Sequence, residues 1–121
     1  MGKKFKITQD NSPNISNCAA LLLNILSEKN QPLDVKELTS LLVSIDGTTK
    51  EEQRIMVKNV RRNKLNYSIH WALVLLKRNN LVNRIKRGTY EATTNRSDLL
   101  DFDFAKKEII QLRYKNRKKQ K

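Results

Sequence analysis

The chain has 121 residues, 25 Lys plus Arg, 12 Asp plus Glu, and a formal net charge of +13. That length suits one domain with an appended helix or tail. With 38% apolar residues, 3 Gly and 2 Pro, collagen-like and low-complexity classes are excluded and no large core is expected.

The first residues, MGKKFKITQD, carry charge but no apolar stretch, so they do not read as a secretory signal. A myristoylation signal needs Ser or Thr where Lys6 stands. Residues 1–13, punctuated by Ser12-Pro13, are expected to be a flexible N-terminal segment. A first helix then starts near Asn14 or Ser16 and runs to Glu28, with Ile15, Ala19, Leu22, Leu23 and Leu26 on one face. Pro32 follows, and proline cannot continue a helix interior. Asp34 is suited to cap a second helix by accepting from the N–H of Lys36 or Glu37. That helix buries Val35, Leu38, Leu41, Leu42 and Ile45 and ends at Asp46-Gly47. Residues 50–60, capped by Thr48 or Thr49, read as a further helix or an ordered loop.

The strongest helical signal covers residues 64–79. At 100° per residue, Leu65, Ile69, Ala72, Leu73 and Leu76 fall within about 60° of one line and form the core face. Asn63, Asn66, Tyr67, His70, Val74, Lys77 and Arg78 fall on the other side, and Asn79-Asn80 ends the helix. Residues 81–93 read as a short β-hairpin with Arg87-Gly88 as its turn, and residues 102–120 as a final helix. The predicted fold is mainly α with a small β-hairpin: a winged helix-turn-helix plus a C-terminal helix. Its boundaries are 1–13, 14–95 and 96–121.

Charge is distributed unevenly along these elements. Residues 54–90 hold ten basic side chains and no Asp or Glu, while the acids cluster in 34–52 and 91–108. A solvated surface normally interleaves signs, so this stretch implies a field of one sign, and its usual ligand is a polyphosphate backbone. Six more basic residues lie in 113–121. The longest apolar runs, 18–23 and 71–76, are six residues each, far short of the ~20 needed to span a bilayer. No membrane association is expected, and the location is read as cytoplasmic, or nucleoid-associated in a bacterium. A single Cys excludes an internal disulfide, and with one Cys and one His no Ser-His-Asp or Cys-His arrangement and no zinc site is expected. No catalytic residue, metal or cofactor is expected.

Residues 68–93, SIHWALVLLKRNNLVNRIKRGTYEAT, resemble the N-terminal winged-helix domain of Mrr-type restriction endonucleases. Ile69, Trp71, Ala72, Leu76, Lys77, Leu81, Val82, Arg87, Gly88, Tyr90 and Thr93 stand where that family's pattern places them. The helix–proline–helix start also fits, extending the resemblance to about residues 14–95. Ser68 replaces a frequent arginine and Asn80 a usual glycine. The resemblance implies double-stranded DNA binding but not cleavage. Asp34-Val35-Lys36 mimics the acid-x-Lys half of the nuclease motif, but Asp34 reads as a helix cap.

The expected nucleic-acid contacts are Asn63, Asn66, Tyr67 and His70 toward base edges, with Lys64 in the same helix. Arg61, Arg62, Lys77 and Arg78 would position the duplex, and Arg84, Lys86 and Arg87 on the wing would reach phosphates or the minor groove. For each residue the competing reading is an ordinary polar surface. Trp71, off the core line, is expected to pack under the wing or under residues 50–60 rather than stack on a base. The C-terminal helix could pack on the domain, lie along DNA or join two chains in a homodimer. Competing functions are an RNA- or ribosome-associated basic protein, disfavoured by the lack of an evident aromatic platform, and a protein–protein winged helix.

Overall fold

A computed structural model describes residues 5–93 and 97–119. Lys3, Lys4 and the last two residues of the expected basic tail lie outside that range, as does the 94–95 end of the expected domain. The order is α1 (Ile15–Lys29), β1 (Leu33–Asp34), α2 (Val35–Asp46), α3 (Lys50–Gln53), α4 (Lys64–Arg78), β2 (Val82–Lys86), β3 (Thr89–Ala92), a 3-10 turn (Ser97–Leu100) and α5 (Phe102–Lys119). The strands form one antiparallel sheet in the order β1-β3-β2. This is the expected mainly helical winged arrangement with its C-terminal helix.

The helices start where short polar side chains satisfy the free N–H groups of a first turn. Asn14 accepts from Asn17 at 3.0 Å, Asp34 from Glu37 at 2.8 Å and Asn63 from Asn66 at 2.7 Å. Thr49 and Glu52 form a reciprocal capping box that starts α3. Gly47 ends α2 at φ 77°, and Asn80 turns the chain after α4 at φ 59°, the conformation that suits a glycine there.

α1 is the hub of the core. Residues 18–26 of it are all buried, between α4 on one side and α5 with the 3-10 turn on another. α5 contributes Phe102, Ala105 and Ile109 to this core, and Arg113 Nη1 donates to Ser16 Oγ at 2.9 Å. One face of the C-terminal helix thus packs on the domain, as one of its alternatives had it, while Phe104 and Ile110 stay exposed.

Two expectations are corrected here. Residues 5–13 are not loosely held: Phe5 and Ile7 are buried in the core. The Phe5 N–H donates to the buried Asp46 carboxylate at 3.0 Å and the Ile7 N–H to Glu52 at 3.2 Å. The polar residues around them masked an alternating apolar pair with a place in the core. The second correction is β1, a strand of two residues that exists only because Leu33 and Asp34 pair with Tyr90 and Thr89. No local pattern could announce it.

Candidate nucleic-acid interface

Three elements converge on one side of the molecule: α4, the β2–β3 wing and the start of α2. β1 is what joins them. By pairing with β3, it seats the first turn of α2 beside the wing turn, where the Val35 N–H donates to the Gly88 carbonyl at 2.9 Å. Gly88 itself sits at φ 81°. Between these elements lies a groove of about 760 Å³. Arg62, Asn66 and His70 line one wall, Lys36 enters from α2, and Arg84, Arg87 and Tyr90 come from the wing. Four of these seven side chains are cationic, and among them no acid offsets the field.

The sequence-predicted residues divide into four groups. Arg62, Asn66, His70, Arg84 and Arg87 come together around the groove. Arg61, Lys77, Arg78 and Lys86 are exposed on the same elements without lining it. Asn63 and Tyr67 are half-buried, and Asn63 spends its carbonyl oxygen capping α4. Lys64 stands apart because it is buried. Its ammonium donates to the carbonyls of Thr8 and Gln9 at 2.8 Å and of Asn11 at 3.3 Å. A cation with three carbonyl partners on its own chain is a brace, not a phosphate contact. The expectation for Lys64 is corrected accordingly.

The brace has a partner one turn along α4, where Ser68 Oγ donates to the Pro13 carbonyl at 3.1 Å. The segment before α1 therefore fastens the first two turns of α4. On the other side, the loop between α3 and α4 folds back on itself. Val57 N–H donates to the Arg62 carbonyl at 2.9 Å and Lys64 N–H to the Ile55 carbonyl at 2.7 Å. These bonds hold Arg61 and Arg62 at the mouth of the helix.

Trp71 overturns a further expectation. The indole is not covered as expected, and remains 41% exposed. Tyr67 and His70 meet it edge-on, with ring centroids 6.2 Å and 5.2 Å away. An exposed aromatic cluster thus exists on α4, contrary to the reading that none was evident. Its off-core angle on the helical wheel was the signal. Lys36 was also missed as a contact candidate, since its placement depends on β1.

Burial first, and then the nearby Asp46 carboxylate, push the Cys18 thiol far above its usual range. It is a core side chain and not a nucleophile. Among the described residues, no three His, Cys, Asp or Glu side chains gather as a metal site, and no helix is long and apolar enough to cross a membrane.

A family model described as the Mrr N-terminal domain matches residues 16–101. The comparison with curated proteins returned no match, and neither did the comparison with solved structures.

Proposed function

The chain belongs to the Mrr N-terminal domain family, and from that premise we propose that it is a non-catalytic binder of double-stranded DNA. In this reading α4 enters the major groove and the wing reaches phosphates or the minor groove. The observation that carries it is the cationic groove between α4, the wing and the start of α2. The family match supports a DNA-related role, and the charge of the three converging elements supports a polyphosphate ligand. The protein would act in the cytoplasm as a regulator of transcription or as the reader of a restriction-like system.

Fluorescence anisotropy with a duplex and a matched RNA hairpin, each at several salt concentrations, tests the proposal. With six to eight phosphates neutralised, duplex affinity falls with a log–log slope of roughly −5 to −7. Changing Arg84, Lys86 and Arg87 together to Ala flattens that slope by about two to three. Tighter binding to the hairpin than to the duplex would favour an RNA ligand. The exposed Trp71 cluster gives that second reading an aromatic platform.

A homodimer through α5 is a further part of the proposal. Phe104 and Ile110 are exposed on that helix, 38% and 47% respectively. Sedimentation of the wild type and of Ile110→Asp tests it: a dimer that the substitution splits supports the interface, and a wild-type monomer removes it.

A further inference from the structure

α4 presents to solvent something that phosphate binding does not use. Trp71, the only tryptophan in the chain, is 41% exposed. Tyr67 precedes it by one turn with an interplanar angle of 68°, and His70 adjoins it at 78°. Neither ring stacks in parallel on the indole; both meet it edge-on along a 15-residue helix. Phosphates are met by cations, and Arg61, Arg62, Lys77 and Arg78 already flank this surface on the same stretch of chain. An indole adds no charge to that task.

What aromatic rings add is apolar contact, and the floor of the major groove offers one apolar group, the C5 methyl of thymine. Methyl hydrogens are weakly positive, and a ring face is weakly negative. The matching polar reader is Asn66, exposed and one turn ahead of His70, whose amide can bond adenine at two atoms. We infer that the Tyr67–His70–Trp71 cluster reads thymine methyl groups and gives the domain a preference for A·T pairs. The partner it fits is a thymine-bearing duplex, because the surrounding cations favour a polyanion over any neutral apolar surface. This inference rests on the duplex-binding reading above.

The test uses the full chain with two short duplexes, one of alternating A·T pairs and one in which every thymine is deoxyuridine. Removing the methyl weakens wild-type binding by roughly fourfold per contacted thymine, the effect of burying about one carbon. In Trp71→Ala the two duplexes bind alike while the salt slope is unchanged, and Trp71→Phe retains part of the discrimination. Equal wild-type affinity for the two duplexes overturns the inference, as does a Trp71→Ala variant that still discriminates. Salt-dependent binding that ignores the methyl removes this inference alone, whereas no duplex binding at low salt removes the underlying reading as well.

Discussion

The Val35 N–H donates to the Gly88 carbonyl at 2.9 Å, which ties the first turn of α2 to the turn of the wing. Gly88 holds the left-handed conformation at φ 81°, and a Cβ there would meet no atom within 4 Å. The cost of Gly88→Ala is therefore conformational and not steric, about 1 kcal/mol. Urea unfolding should show that loss. The variant's duplex affinity should fall as well, because the wing cations and Lys36 lose their common anchor.

Lys64 and Arg62, two residues apart, should respond in opposite ways. Lys64→Met leaves the carbonyls of Thr8, Gln9 and Asn11 without their ammonium donor and should cost about 2–3 kcal/mol of stability. Arg62 is exposed, and Arg62→Ala should leave the unfolding midpoint in place while flattening the salt slope of duplex binding by about one. Chemical denaturation and anisotropy on the same two variants check both halves.

Much of this fold was legible because its helices begin at recognisable caps. Asn14, Asp34 and Asn63 each precede an apolar repeat, and each accepts from the third residue on. The wing was legible from Arg87-Gly88 set between strand-forming residues. What stayed hidden depends on distant partners. Lys64 looks like any other cation in the acid-free stretch until residues 8, 9 and 11 fold over it. Phe5 and Ile7 alternate as a strand would, but nothing local says that Asp46 and Glu52 will receive their N–H groups. Lys36 gained its place through a two-residue strand. Trp71 was correctly placed off the core face and wrongly given a cover.

Cys18 should be silent in the native protein. Its thiol lies in the middle of the core and resists ionisation, so alkylation by a thiol reagent should proceed only as fast as the domain opens. The pH dependence has a definite sign. The folded state keeps the proton that the unfolded chain releases, so this group's stabilising contribution is complete at neutral pH. It is lost as pH rises above about 9, the ordinary thiol value, by about 1.4 kcal/mol per pH unit. Cys18→Ser should behave differently, losing stability at neutral pH through an added buried hydroxyl and showing less decline in alkali.

The most direct test of α4 as the DNA-docking element is Trp71 emission during a duplex titration, because the chain's one tryptophan sits exposed on that helix. Duplex should change the emission and shield the indole from iodide, with both effects saturating at the stoichiometry seen by anisotropy. Duplex that binds while emission and iodide access stay unchanged would place the contact elsewhere and contradict it.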